Sequence, residues 1–284
     1  MAILIPNPSI VNEKIQKIQV AGATKLHVIS DFDRTLTKPV VNGEKVASSY
    51  SRIRDGNYLS SGFTEESSRL FNVYHPIEID PCVPLEEKKV KMQEWWEANW
   101  SLMLEHGMNM KIVQAVAIDP CLQLRSNADM FLKKLAEYNI PMLVFSSGLG
   151  DIIKTHLEHH KLWLDNMHLI ANQFMLNKSE EVVGFSKPLI TVFSKNEYAL
   201  RDKKYAADIK DRKNVILLGD SLGDLGMSEG LEHNEIITIA FFDKFKAELK
   251  NELLDKYLNS FDIVLTDNSD FSYVNEILNK VIKK

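Results

Sequence analysis

Cysteine is nearly absent: Cys82 and Cys121 are the two in 284 residues. A disulfide framework is not expected from so few, and a reducing compartment fits. Glycine (12) and proline (9) are scarce as well, which excludes fibrous and low-complexity chains. Excess positive charge is lacking, since the net charge is −5, so there is no basic footprint for nucleic acid or an anionic membrane. Long apolar runs are missing too, and no stretch approaches a membrane span. The opening "MAILIPNPSIVNEK" has only the four-residue apolar run "AILI" after Met1 and before Pro6 and Pro8, and no basic leader, too little for a signal peptide. With 45% hydrophobic and 26% charged residues, the chain reads as a cytoplasmic globular protein. Its length suits one large domain, or one with a smaller insertion.

Five apolar runs have strand length: "KLHVIS" (25–30), "IPMLVFSS" (140–147), "NVILLGD" (214–220), "EIITIAFF" (235–242) and "FDIVLTD" (261–267). Nearly continuous Val, Ile and Leu suit parallel strands covered on both faces. Helical patterns separate the later runs. "RSNADMFLKKLAEYN" predicts a helix capped by Ser126 with Asp129 three residues on; "DKFKAELKNELLDKYL" and "SYVNEILNKVIKK" follow. The alternation predicts an open, doubly wound α/β sheet.

More than a hundred residues separate the first two runs, far more than one crossover helix needs. That gap has helical patterns of its own. "TEESSRLFNVYH" has Thr64 as a cap, "PLEEKKVKMQEWWEANWSLMLEHG" starts at Pro84 and stops at Gly107, and "NMKIVQAVAI" follows. A mostly helical insertion between strands is the simplest account. "LNKSEEVVGF" (176–185) reads as a turn between two short extended pieces.

Ligands of open α/β sheets bind beyond the carboxyl ends of strands, and the chemistry-bearing residues cluster there. In "DFDRT", Asp31 and Asp33 at i and i+2 point the same way while Phe32 turns inward. One carboxylate can bind metal and attack phosphorus while the other keeps a proton; two loop acids capping a turn is the competing reading. "VFSSGLGD" (144–151) offers Ser146 and backbone N–H groups to a phosphate, or is an ordinary strand–helix junction. "LLGDSLGD" (217–224) sets Asp220 and Asp224 around Ser221, oxygen donors suited to Mg²⁺, or an Asx turn. The three together resist the bland reading better than any one alone.

Other candidates are weaker. "HLEHH" sets His156, His159 and His160 at helical spacing, which reads as a surface face unless a further metal ligand joins. Trp95, Trp96 and Trp100 fit helix–helix packing, although one facing a cleft can stack a nucleobase.

Asp-x-Asp-x-Thr, a strand-end Ser, Lys195 and Gly-Asp-x-x-x-Asp, in that order, resemble the haloacid dehalogenase superfamily. "SDFDRTLTK", "IEIDP", "EEKKVKMQEWW", "VFSSGLGDII", "VVGFSKPLITVFSKNEYAL", "NVILLGDSLGDLGMSEG" and "SFDIVLTDNSDFSYVNEIL" resemble the cytosolic 5'-nucleotidase III, or pyrimidine 5'-nucleotidase, family from about Leu26 onward. The resemblance implies a Rossmann-like core (1–45 and 122–284) with a helical-bundle cap inserted at 46–121. It implies a monomeric, Mg²⁺-dependent enzyme hydrolysing nucleoside 5'-monophosphates, CMP, UMP or 7-methylguanosine monophosphate, with phosphotransfer to a nucleoside as a side activity. Asp31 would be the nucleophile and Asp33 the general acid and base. Asp31, the Asp33 carbonyl and Asp220 would hold Mg²⁺, with Asp224 behind them. Ser146, Ser147 and Lys195 would grip the phosphate, and Glu78 would read the base. Trp96 stands where the family has tyrosine or tryptophan, and tryptophan suits a positively charged base. Asn99 and Trp100 depart from the family's small residue followed by histidine, at positions expected near the base. The rival functions are a phosphatase for another small phosphate ester and a catalytically silent nucleotide-binding protein.

Overall fold

The computed structural model describes residues 2–46, 48–80, 82–195, 203–230, 232–243 and 251–283. The end of the "ITVFSKNEYAL" stretch and the start of the helix expected at 243–258 therefore lie outside the described residues. In chain order the strands are β1 (Ile3–Leu4), β2 (Leu26–Ser30), β3 (Val40–Val41), β4 (Glu44–Lys45), β5 (Met142–Leu149), β6 (Met167–Asn172), β7 (Phe174–Leu176), β8 (Val182–Phe185), β9 (Asn214–Gly219), β10 (Glu235–Phe242) and β11 (Ile263–Thr266). The helices are α1 (Pro8–Ala21), α2 (Ser49–Asp55), α3 (Ser61–Ile79), α4 (Leu85–Glu105), α5 (Met110–Ala117), α6 (Ala128–Glu137), α7 (Gly150–His159), α8 (Lys203–Asp208), α9 (Asn251–Ser260) and α10 (Ser272–Ile282).

Among the described residues, seven strands form the central sheet in the order β1-β11-β10-β9-β2-β5-β6, parallel except for β1. Alternate residues feed two cores: Val28, Val144 and Ile216 enter one, and Ile29, Leu143 and Leu217 the other. Covering on both faces explains why these runs are apolar without alternation. The sheet is the doubly wound α/β arrangement expected. The sequence order reverses at β2, which sits between β5 and β9, and such a switch point opens a crevice at the strands' carboxyl ends.

The structure corrects several local readings. Within the central sheet two strands lacked a sequence signal: β1, two residues paired antiparallel to β11, and β6, whose "MHLIAN" mixes polar and apolar residues at the sheet edge; the short β3–β4 pair was not foreseen either. Ser126 does not cap α6. Asn127 holds that place at φ +66°, and its amide donates to Asp270 and Ser272 instead. Thr64 lies inside α3, which is capped by the Ser60 side chain, and its hydroxyl donates to the Arg54 carbonyl. α3 also runs through Pro76 to Ile79, so Glu78 is helical. β7 and β8 form the hairpin anticipated at 176–185. α2 to α5 all lie between β2 and β5, with α3 packed along α4. Among the described residues no helix is long and apolar enough to cross a membrane.

Candidate active site

The first strand delivers its acids past the end of its own hydrogen bonding. Asp31 N–H donates to Leu218 O at 3.0 Å, extending the pairing with β9 by one residue. Phe32 then turns into the core, and its carbonyl accepts from the N–H groups of Thr35, Leu36 and Thr37 at 3.3, 2.9 and 3.1 Å. Arg34 takes φ +60°, a left-handed conformation that costs a non-glycine residue roughly 1 kcal/mol. Arg125, buried at 3% exposure, holds the coil: its guanidinium donates to the carbonyls of Thr35, Ser269 and Arg34 and reaches Asp243.

Asp33 leans toward α2. Its Oδ1 accepts from Ser49 N at 2.8 Å and its Oδ2 from Ser49 Oγ at 2.9 Å. β5 passes close by because Gly148 lacks a side chain: a Cβ there would meet Ser49 Oγ at 3.1 Å and Asp33 Oδ2 at 3.2 Å. Ser146 Oγ accepts from Gly148 N at 3.0 Å, which leaves its own hydrogen free to donate. Ser147 is half-buried beside it, its carbonyl accepting from Asn172.

At the end of β9, a Cβ on Gly219 would meet Asp224 Cβ at 2.5 Å, so glycine admits this acid against the strand. Asp224 Oδ2 accepts from Asp220 N, Ser221 N and Ser221 Oγ; its Oδ1 accepts from Lys195 Nζ at 2.7 Å. The same ammonium donates to Asp31 Oδ1 at 2.6 Å. Arg34 Nε stands 3.6 Å from Asp220 Oδ2.

Electrostatics at these strand ends are unbalanced. Among the described residues, Asp31, Asp33, Asp220 and Asp224 face Lys195 and Arg34, four carboxylates against two cations. Burial pushes the Asp31 carboxyl up to about 7, with Lys195 opposing and Asp224 and Asp220 adding to the push. Burial raises Asp33 as well, against the two Ser49 hydrogen bonds. Burial alone would lower Lys195, but Asp224 and Asp31 outweigh it and keep the ammonium charged. Asp31, Asp220 and Asp224 each bring an oxygen within 4.8 Å of the others. An all-carboxylate donor set with surplus negative charge fits a hard divalent cation. Asp33's carboxylate is not in that trio; Ser49 holds it instead.

One cavity of about 520 Å³ joins these acids to a second group of side chains on α3 and α4. Trp96 stands edge-on to Tyr50 with ring centroids 5.2 Å apart. Glu78 Oε2 accepts from His75 Nδ1 at 2.9 Å, and Phe71 stacks on the His75 ring at 4.5 Å. Asn99 is buried at 3% exposure, with no hydrogen bond to its Oδ1 among the described residues. All the residues given a catalytic, metal or substrate-binding role thus line this one cavity: Asp31, Asp33, Glu78, Trp96, Asn99, Ser146, Ser147, Lys195, Asp220 and Asp224.

Two other expectations resolve differently. Trp100 does not reach the cavity; it is fully buried between Phe174 and Phe185 of the β7–β8 hairpin. "HLEHH" is not one surface face, since His156 is buried with Nδ1 donating to Ala117 O, while His159 and His160 line a separate hollow of about 620 Å³ away from the acids. Ser49, Arg34, Phe71, His75 and Arg125 were not foreseen. Ser49 follows Ser48, whose hydroxyl and that of Ser51 form a capping box legible in "SSYS". Phe71, His75 and Glu78 fall at helical spacing, a signal available once the helix is carried past Pro76.

The sequence model of the pyrimidine 5'-nucleotidase (UMPH-1) family matches residues 34–282. The chain belongs to this pyrimidine 5'-nucleotidase family. The family match begins one residue after Asp33, so the two leading acids stand on their geometry. Among curated relatives, 7-methylguanosine phosphate-specific 5'-nucleotidase B of Xenopus laevis is 35% identical over 279 residues, 98% of this chain and 95% of its own. The Homo sapiens 7-methylguanosine phosphate-specific 5'-nucleotidase is 32% identical over 281 residues, 99% and 92% of the two chains. The crystal structure of cytosolic 5'-nucleotidase IIIB bound to cytidine superposes with a TM-score of 0.85 at 28% identity, covering 98% of this chain and 93% of that one. A substrate-bound phosphoserine phosphatase, at 18% identity and a TM-score of 0.53, shares the fold alone. This pyrimidine 5'-nucleotidase family member therefore has the haloacid dehalogenase fold of these phosphatases.

Proposed function

We propose that this chain is a Mg²⁺-dependent 5'-nucleotidase converting pyrimidine or 7-methylguanosine 5'-monophosphates to nucleoside and phosphate. One observation carries the reading: a single cavity has Asp31, Asp33, Ser146 and Lys195 at one end and Trp96, Glu78 and Asn99 at the other. A phosphate fits the first set and a nucleobase the second. Residues 46–121, the segment containing α2 to α5, act as the cap that supplies the base end.

Asp31 is the nucleophile. Its oxygen bonds phosphorus while the P–O5' bond breaks, and the departing O5' takes the proton held on Asp33. Burial favours that protonated form of Asp33. The nucleoside leaves, and Asp31 carries the phosphoryl group. Asp33, now a carboxylate, takes a proton from a water whose oxygen attacks phosphorus, and the bond to Asp31 breaks. Lys195, kept charged by its two carboxylates, stabilises the spread negative charge, and the free Ser146 hydroxyl donates to it. Asp31, the Asp33 carbonyl and Asp220 would hold Mg²⁺, with Asp224 bonded behind them. When bound, the ion removes the repulsion between a carboxylate and a phosphate dianion.

Phosphate release from CMP and 7-methylguanosine monophosphate tests the reading. Asp31→Asn is expected to lower it by about a thousandfold or more. Turnover surviving that change refutes the nucleophile, and faster turnover of phosphoserine than of either nucleotide refutes the substrate class.

A further inference from the structure

The three carboxylates Asp31, Asp220 and Asp224 each stand beside a cation. Lys195 donates to Asp31 and Asp224, at 2.6 and 2.7 Å. Asp220 has Arg34, whose Nε lies 3.6 Å from its Oδ2. Lys195 has a part in the proposed reaction already, whereas Arg34 has none. Main chain fixes where Arg34 sits: its N–H donates to Thr37 Oγ1 at 2.8 Å, and its carbonyl accepts from Arg125 Nη2 at 2.5 Å. The left-handed turn at φ +60° is thus held without the guanidinium, and the side chain lines the cavity with Asp220. At 3.6 Å the contact is too long for a hydrogen bond, and the buried Nε has no hydrogen-bond partner among the described residues. Charge, rather than a directed bond, links the two side chains.

We propose that Arg34 is a fixed counter-charge at the metal site, weakening divalent-cation binding at Asp220 and strengthening the binding of phosphate. For a divalent cation among Asp31, Asp220 and Asp224, the guanidinium is a like charge beside one of the donors, and it costs affinity. For a phosphate dianion at the same strand ends it is one more positive charge beside Lys195, and it adds affinity. The Arg34 side chain is 36% exposed, so solvent and salt screen both effects to a few-fold. Arg34 touches no reacting atom and acts through the field it sets. The inference rests on the reading of these acids as a metal and phosphate site.

The test compares the purified full chain with Arg34→Met, Arg34→Lys and Asp220→Asn, using two readouts free of turnover. Affinity for Mg²⁺ alone is read from the rise in melting temperature across a titration. Affinity for inorganic phosphate is read calorimetrically at saturating Mg²⁺. Arg34→Met is expected to bind Mg²⁺ about fivefold more tightly and phosphate about fivefold more weakly. Arg34→Lys keeps the charge and should stay within about twofold of wild type on both. Salt at about 0.5 M should shrink the gap between Arg34→Met and wild type, which a packing role would not do. Opposite shifts of the two affinities are the signature, because damage to the fold weakens both. Unchanged or weaker Mg²⁺ binding by Arg34→Met overturns the proposal, as does an Arg34→Lys that behaves like Arg34→Met. Where Mg²⁺ stabilises wild type but not Asp220→Asn, and Arg34→Met binds it as wild type does, only this inference falls. If Mg²⁺ leaves wild type unmoved, the metal-site reading falls and takes this inference with it.

Discussion

Both oxygens of the Asp33 carboxylate are held by one residue, Ser49, at 2.8 Å from its main-chain N–H and 2.9 Å from its hydroxyl. Ser49 is the first residue of α2, behind a capping box formed by Ser48 and Ser51. The start of the segment above the site thus orients an acid that the sheet presents below it. Under the proposed reaction, Asp33 aims a proton at the leaving oxygen, so loose orientation costs rate rather than affinity. Ser49→Ala keeps the main-chain bond and loses the other. Steady-state kinetics with CMP should show kcat about tenfold lower and KM within twofold of wild type. A raised KM at unchanged kcat would assign Ser49 to binding instead.

Lys195 is the buried cation between Asp31 and Asp224, at 4% exposure. Removing it leaves two buried carboxylates without their shared donor. Breaking a buried pair from one side costs about 3–5 kcal/mol, so Lys195→Met should unfold at markedly lower urea than wild type. The variant's site is also more negative. Added Mg²⁺ should therefore raise its unfolding midpoint by more than it raises that of wild type. Equal midpoints in metal-free buffer would show that the pair contributes nothing net.

Much of this was legible in sequence because the relevant residues obey strong local rules. Parallel strands buried on both faces must be apolar throughout, so β2, β5, β9, β10 and β11 announce themselves. Asp31, Ser146 and Asp220 are polar residues at the abrupt ends of those runs, where a strand end needs no acid for folding. β1 and β6 lie at sheet edges; β1 is only two residues long, and in β6 His168 and Asn172 interrupt the apolar residues, so neither makes a strand-length apolar run. Arg125 was invisible for another reason. Besides Asp243, its partners are main-chain carbonyls of Arg34, Thr35 and Ser269, and a carbonyl leaves no mark on residue identity. Asn99 and Trp100 are adjacent and looked alike as departures, yet helical geometry sends one to the cavity and the other into the packing.

Trp100 joins α4 to the β7–β8 hairpin, its ring 4.9 Å from Phe174 and 4.6 Å from Phe185. Among the described residues its buried indole Nε1 has no partner, so the residue is kept for volume rather than for its donor. Trp100→Ala should cost about 3–5 kcal/mol through the cavity it leaves. Trp100→Phe fills much of that space and drops the orphan N–H, so it should cost less than half as much. Urea unfolding of the two variants decides, and equal losses would mean that the indole donor has a partner after all.

His156 gives the fold an acid-sensitive point far from the catalytic acids in sequence. It is fully buried, donates through Nδ1 to Ala117 O at 2.7 Å, and packs edge-on to Phe32. Burial pushes its pKa down to about 4, against the pull of the Ala117 carbonyl. The unfolded chain binds this proton near 6.5, the folded one only near 4. Between those values the unfolded state holds more protons, so stability falls as pH falls. The contribution is complete above 6.5. Asp31, raised to about 7, works in the opposite direction over an overlapping range, so whole-protein stability curves mix the two. A difference measurement separates them. The unfolding free energy of wild type minus that of His156→Gln, which carries no titrating group, should shrink by roughly 2 kcal/mol from pH 7.5 to pH 4.5. A difference that stays constant across that range would show that the imidazole charges inside the folded protein without penalty.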